Sequence, residues 1–312
     1  MDVVRRALAP WLRVARAAVP RWALACAIPF VVWGLYTFAR GERRWEVVAL
    51  ALAMPALATH GDGSRRALAG LYPVALTGLF YDAMRFVQYA GIRPADVHLC
   101  DLRDLEARLF GITYGGQRAT VHDWLQAHPS RLLDVVCAVP YGTFLFAAVA
   151  FGLYLYRRDT AALQRYAWTF LALNLLGFAT YHLYPAAPPW YFHARGCAVD
   201  LAARASEGPN LARVDALLGV GYFHGFYGRS HDVFGAVPSL HVSYPLLFAL
   251  VGWPYFGPAL RVASVTFFVT MCFAAVYLDH HWIIDVVLGV AYTLATYTAV
   301  RFVHARAARP SL

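Results

Sequence analysis

Eight apolar runs dominate this chain, at about 21–39, 45–59, 67–88, 132–156, 165–184, 239–256, 258–279 and 282–303. A helix needs roughly 20 apolar residues to cross the hydrocarbon core of a bilayer. Most of the runs reach that length; the second is short. The chain is 60% hydrophobic and 14% charged, whereas a soluble protein of 312 residues can bury a core with far less apolar content. The runs predict an all-α fold: a polytopic membrane helix bundle of about eight transmembrane helices, a six-helix core preceded by N-terminal helices.

Charge supports that count. All 27 basic residues are arginine, and the formal net charge is +9. The arginines flank apolar segments instead of forming a patch with aromatics, which excludes nucleic acid as a partner. Arg5, Arg6, Arg13, Arg16 and Arg21 precede a first run that continues to Phe38-Ala39-Arg40, too long for a cleaved signal peptide. They read as a basic cytoplasmic cap. With the N-terminus inside, eight spans also put Arg157, Arg158, Arg165, Arg261, Arg301, Arg306 and Arg309 inside, and the arginine-free turn Asp279-His280-His281 outside. Arg40, Arg43 and Arg44 run against the pattern. Seven spans would place the arginine-rich tail outside, so eight is preferred.

The expected organisation is a basic tail with accessory helices over 1–66, a membrane catalytic domain over 67–303 and a basic cytoplasmic tail over 304–312. Two long loops remain. Residues 89–131 carry mixed charge and read as a short surface helix; residues 185–238 are rich in proline, glycine and aromatics. Five cysteines form no C-x-x-C pair and no metal-ligand spacing. Cys26, Cys137 and Cys272 sit in apolar runs. Cys100 and Cys197 lie in the two loops on the same non-cytoplasmic side; free thiols are the favoured reading and a disulfide the alternative.

Two segments carry chemistry. In Tyr277-Leu278-Asp279-His280-His281-Trp282-Ile283-Ile284-Asp285, His281 and Asp285 stand at i and i+4, on one helix face. The carboxylate can fix the imidazole's tautomer; the bland alternative is a buried polar pair stapling two helices. His280 is rotated away from Asp285 and either meets a head group or faces water. In Gly235-Ala236-Val237-Pro238-Ser239-Leu240-His241, proline opens a helix whose free N–H groups suit a phosphate at Ser239, with His241 beside it. Read alone, that segment is a Ser239 cap with a packed His241. A third segment, Tyr184-Pro185-Ala186-Ala187-Pro188-Pro189-Trp190-Tyr191, ends the fifth run; its Tyr184, Trp190 and Tyr191 are either pocket residues or interface anchors.

These three segments, in this order, resemble the integral-membrane branch of the type 2 phosphatidic acid phosphatase superfamily, and within it the inositol phosphorylceramide synthases and their bacterial relatives. The resemblance covers roughly residues 70–303. The second motif, usually Pro-Ser-Gly-His, reads Pro-Ser-Leu-His here, as in the synthase-like branch. The third ends in His-x-x-x-Asp, matched by His281 and Asp285. Two cations of the phosphatases are missing: the chain has no lysine, and Ala275 stands where an arginine would precede His281 by six residues. Arg229 and Arg195 are the candidates to meet phosphate charge, or else solvated loop arginines.

The resemblance implies a membrane-embedded lipid phosphotransferase. His281 would be the nucleophile, Asp285 its orienting partner and His241 the acid and base, with no metal or cofactor. Its partners are lipids in the bilayer. A lipid phosphate phosphatase using water as acceptor is the alternative. The implied setting is a bacterial inner membrane, with the site on the periplasmic side.

Overall fold

The computed structural model describes residues 19–42, 44–204, 209–228 and 232–307. Its described residues are mainly helical with almost no sheet, in agreement with the all-α bundle. They divide into two compact units, one of the residues up to Phe80 with Gly152–Leu171, the other of Tyr81–Phe151 with the residues from Ala172 on.

The first unit contains helices α1 (Arg21–Ala39), α2 (Trp45–Thr59) and most of α3 (Asp62–Met84). Its core joins Ala23, Ala27 and Phe30 of α1 to Met54 and Ala58 of α2 and Leu68 of α3. The spacing of four and three residues lays one stripe of α1 against its neighbours. The opposite face shows Ile28, Val32, Leu35 and Phe38 at 58–67% exposure. A helix with apolar residues on its outward as well as its inward face is matched to lipid, not water.

The second unit holds the other elements that matter for function. Helices α4 (Cys100–Phe110) and α5 (Val121–Ala127) flank a hairpin of β1 (Ile112–Tyr114) and β2 (Gln117–Ala119). The loop predicted to hold one surface helix therefore holds two and a hairpin. Its turn is Gly115–Gly116, both at positive φ (59° and 77°), the pairing a two-residue hairpin turn demands. The long helices α6 (Arg131–Arg158) and α7 (Thr160–Leu183) follow, this unit holding α6 up to Phe151 and α7 from Ala172, then three short ones, α8 (Pro189–Arg195), α9 (Pro209–Leu218) and α10 (Tyr222–Tyr227). The chain ends in α11 (Leu240–Gly252), α12 (Pro258–Tyr277) and α13 (Ile283–Ala307).

All eight predicted runs are helical. Among the described residues, five helices (α1, α3, α6, α12 and α13) are long and apolar enough to cross a membrane, while α2 and α11 are shorter apolar helices. The run predicted over 239–256 stops early, at Gly252, because the chain turns through Trp253–Gly257 and Pro258 opens the next helix at its first position.

Between the ends of α7 and α8 the chain is extended. Ala186 bridges His98 on one side and Gly235 on the other, both in parallel. Backbone bonds from His98 to Pro185, Ala187 to His98, Ala186 to Phe234 and Ala236 to Ala186 fix this three-strand seam. Around it Val97, Leu99, Trp190, Tyr191, Val233 and Phe234 form a core separate from the membrane helices. Cys100 and Cys197, expected to be free, are joined as a disulfide across this cap, with Cα atoms 5.7 Å apart. The sequence separation of 97 residues hid that proximity.

Candidate active site

The seam delivers Ala236 and the start of α11 to the start of α13. Ser239 caps α11, its side chain accepting from the Val242 N–H at 3.4 Å, and its own N–H donates to the Asp285 carbonyl at 3.0 Å. Ser243 Oγ bonds the carbonyls of both Ser239 (2.9 Å) and Gly289 (3.1 Å). Gly289 permits this approach: a Cβ there would stand 2.5 Å from the Ser239 carbonyl oxygen.

That contact sets His241 against His281. His241 Nδ1 lies 3.0 Å from His281 Nε2. On the far side of its ring, His281 Nδ1 donates to the Ala236 carbonyl at 2.9 Å, with Asp285 Oδ2 at 3.5 Å. A carbonyl only accepts, so Nδ1 carries the proton and Nε2 presents its lone pair to His241. His241 must then donate from Nδ1, which leaves its own Nε2 to accept from the Tyr227 hydroxyl at 3.4 Å. The result is a directed chain of hydrogen bonds from phenol to imidazole to imidazole to backbone. Asp285 is fully buried, and its Oδ2 also accepts the Trp282 N–H at 2.8 Å.

Aromatic rings enclose the pair. Tyr141 stacks on His241 (centroids 4.7 Å apart, 24° between planes), and Phe144 meets the same ring edge-on at 4.9 Å. His280 packs edge-on against Tyr141 at 5.0 Å and Tyr227 at 5.2 Å. So His280 joins the cage although it is rotated away from Asp285.

The other sequence candidates lie elsewhere in the cap. Tyr184 is exposed and stacks on His98 at 3.8 Å. Trp190 and Tyr191 are buried in the cap core instead of anchoring a lipid interface. Trp190 nevertheless reaches the site through its backbone, whose N–H donates to the Asp279 carbonyl at 2.9 Å. The Arg195 guanidinium bonds Asp200 at 3.3 Å and lies over the Tyr191 ring. Arg229 lies outside the described residues.

A second cluster, absent from the sequence reading, holds the turn that carries His280 and His281. Asp279 adopts a left-handed conformation (φ 65°) and is 1% exposed. Its carboxylate takes His193 Nδ1 at 2.6 Å and His122 Nδ1 at 3.2 Å. His193 Nε2 continues to Asp123 at 3.1 Å. Burial opposes charge on His193, but the bonds to Asp123 and Asp279 prevail and raise its pKa to about 9. Asp279 is lowered despite burial, by His122 and His193. Nearby, buried Glu106 accepts the N–H groups of Ile283 (2.9 Å) and Ile284 (3.2 Å), capping α13 from outside. Among the described residues, no group of three or more His, Cys, Asp or Glu side chains could hold a metal ion.

Residues 102–299 match the PAP2 superfamily. Over 241 residues the chain is 35% identical to a phosphoinositol dihydroceramide synthase of Bacteroides thetaiotaomicron, covering 75% of this chain and 76% of that protein. It is 32% identical over 193 residues to an inositol phosphorylceramide synthase catalytic subunit of Schizosaccharomyces pombe, covering 61% of this chain and 44% of that one. The corresponding subunit of Saccharomyces cerevisiae is 31% identical over 196 residues, covering 62% and 48%. The match thus spans less than half the length of these fungal proteins. No solved structure matches the chain. With the paired histidines, the His-x-x-x-Asp helix start and the apolar bundle, these matches make the chain an integral membrane member of the PAP2 superfamily, in its inositol phosphorylceramide synthase-like branch.

Proposed function

We propose that this chain is a lipid phosphotransferase that moves a phospho-head group, phosphoinositol by likeness to its relatives, onto a ceramide-type hydroxyl through a phosphohistidine on His281. The observation that carries this reading is the 3.0 Å opposition of His241 and His281, with the tautomer of His281 held from behind. The lone pair on His281 Nε2 attacks phosphorus as the bond to the departing lipid oxygen breaks. With an anionic phosphodiester inserted where the two rings now touch, His241 takes up a second proton from water. The resulting imidazolium protonates the leaving oxygen. The acceptor hydroxyl then gives its proton to His241 and attacks phosphorus, and the N–P electron pair returns to His281.

Position matters as much as chemistry. An apolar cavity of about 320 Å³, lined by Phe151, Pro245, Phe248, Phe256, Leu260 and Phe267, opens along the same helices. Pro245 and Phe248 fall four and seven residues after His241, on its face of α11. Phe248 is therefore about 10 Å deeper along the helix, which suits a lipid tail whose phosphate lies at the histidines. The cap disulfide favours an oxidising compartment for this face, and the arginine-free turn agrees. Both support a site on the periplasmic side of an inner membrane. Arg229, ten residues before Ser239, is the candidate cation for the phosphate, and Ser239 begins the helix beneath it.

The test supplies purified protein in lipid nanodiscs with a labelled inositol phospholipid and ceramide, in the presence of chelator. Labelled head group should appear on ceramide, and acid-labile label should appear on the protein in single turnover. Release of free head group at the same rate with and without ceramide would instead identify water as the acceptor. Loss of all turnover in chelator would remove the histidine mechanism.

A further inference from the structure

The cage around His241 and His281 contains two buried polar atoms that the mechanism above leaves unused. The Tyr141 hydroxyl and His280 Nε2 are each buried without a hydrogen-bond partner among the described residues. Tyr141 is 0% exposed and His280 9%. Buried polar groups are almost always paired, because an unmade bond forfeits the solvation the group had in water. Two such orphans in one cage, on rings 5.0 Å apart and both beside His241, point to a ligand that brings acceptors with it. Their positions fit one: the phosphoryl group that must enter between His241 and His281.

We propose that Tyr141 Oη and His280 Nε2 bind the two non-bridging oxygens of the substrate's phosphodiester, on the flank of the line between His241 and His281. This rests on the phosphotransfer reading and adds the groups that receive the anion. A phenol and an imidazole suit a cage that spends part of its cycle empty. Neither leaves a permanent charge buried on this flank when substrate is absent. Burial and then the neighbouring His281 hold the His280 pKa down at about 3, so its ring is neutral at rest. An arriving phosphate reverses that balance, and the positive charge appears only with the substrate. Donors already placed around the equatorial oxygens also stabilise the charge of the transition state without reorganisation.

Tyr141→Phe keeps the ring stack and deletes the donor; His280→Gln keeps a donor but cannot take up charge. Both are assayed as the full chain in nanodiscs, with orthovanadate as the phosphoryl probe alongside lipid transfer. Each variant should weaken vanadate inhibition by about tenfold or more and lower turnover at least as much, with the thermal unfolding midpoint unchanged. His280→Gln should also flatten the pH dependence of vanadate binding, which a packing role would not do. Vanadate inhibition within about twofold of the parent in both variants would overturn the inference. His281→Ala is the parallel control. If it abolishes transfer while Tyr141→Phe and His280→Gln bind vanadate normally, only this inference fails. If His281→Ala still transfers, the phosphohistidine reading fails with it.

Discussion

His281 donates from Nδ1 to the carbonyl oxygen of Ala236 at 2.9 Å, while Asp285 stands 3.5 Å from the same nitrogen. The helix spacing alone would give the carboxylate the task of fixing the tautomer. The structure gives that task first to the backbone, which leaves negative charge as the main contribution of Asp285. Asp285→Asn should therefore keep Nε2 bare yet lose the charge that offsets a phosphorylated, cationic imidazole. Turnover is expected to fall by roughly 10²–10³, whereas His281→Ala should leave none. Steady-state transfer by both variants checks this. Equal losses would return the tautomer role to Asp285, and wild-type rates in Asp285→Asn would leave it no role.

In the proposed mechanism, the donor direction from His241 Nδ1 to His281 Nε2 assigns to His241 the leaving group's proton. Its removal should matter in proportion to the basicity of that group. His241→Ala is expected to slow transfer from a natural lipid alkoxide by about 10²–10⁴. A nitrophenyl phosphodiester, whose phenolate departs without a proton, should lose much less. Rates for the two donors, parent against variant, decide the point; an equal loss with both would make His241 a packing residue.

The Asp123–His193–Asp279 ladder gives the cap a pH signature. His193 has its pKa raised to about 9 from its ordinary value of 6.5 by its bonds to Asp123 and Asp279, against the opposing effect of burial. Its contribution is complete below the unfolded value and disappears as pH rises through about 9. Asp123 and Asp279 are lowered, so they contribute above the ordinary carboxylate range and lose that contribution only as pH falls through their depressed values. The cap should be firmest from about pH 4 to pH 6.5, weaken progressively above that, and have lost the His193 contribution by about pH 9. The His193 shift corresponds to on the order of 3 kcal/mol, counted once for the whole ladder. His193→Gln should lower the unfolding midpoint at pH 7 and abolish the alkaline loss seen in the parent. Thermal unfolding between pH 6 and pH 10 reads both; an unchanged alkaline slope would mean that another group titrates.

The parts legible in the sequence are those whose partners are neighbours along one helix. Apolar runs announce membrane helices, Pro238-Ser239 announces the start of α11, and His281 with Asp285 share a face by spacing alone. What was hidden depends on distant segments meeting. His122 reaches Asp279 across 157 residues and His193 reaches it across 86, with no local pattern to join them. Glu106 looked like one charge among several, but it lies four residues after Leu102, in register with the buried face of α4. A carboxylate on an apolar stripe was the available signal. Tyr141 gave no signal at all, since a tyrosine in a membrane helix reads as ordinary packing until its hydroxyl is found unpaired.

Gly289 offers a test that leaves every polar group intact. Its missing side chain lets the start of α11 rest on α13, and an added Cβ would meet the Ser239 carbonyl oxygen at 2.5 Å, with the Ser239 carbon at 3.3 Å and nitrogen at 3.4 Å. Those atoms are backbone, held by Ser239 N–H to Asp285 and by Ser243 to both carbonyls. They cannot rotate aside, so Gly289→Ala must push the two helices apart. The overpacking should cost about 1–3 kcal/mol. The same displacement moves His241 off His281, and misplacement of reacting groups by about 1 Å can cost about 10² in rate. Gly78→Ala is the matched control: nothing lies within 4 Å of its Cβ, and alanine suits a helix better than glycine. The expected result is a folded Gly289→Ala protein with a lowered midpoint and turnover reduced well beyond its loss of stability, beside a fully active Gly78→Ala. Full activity in Gly289→Ala would mean that the two histidines do not depend on the contact between α11 and α13 for their alignment.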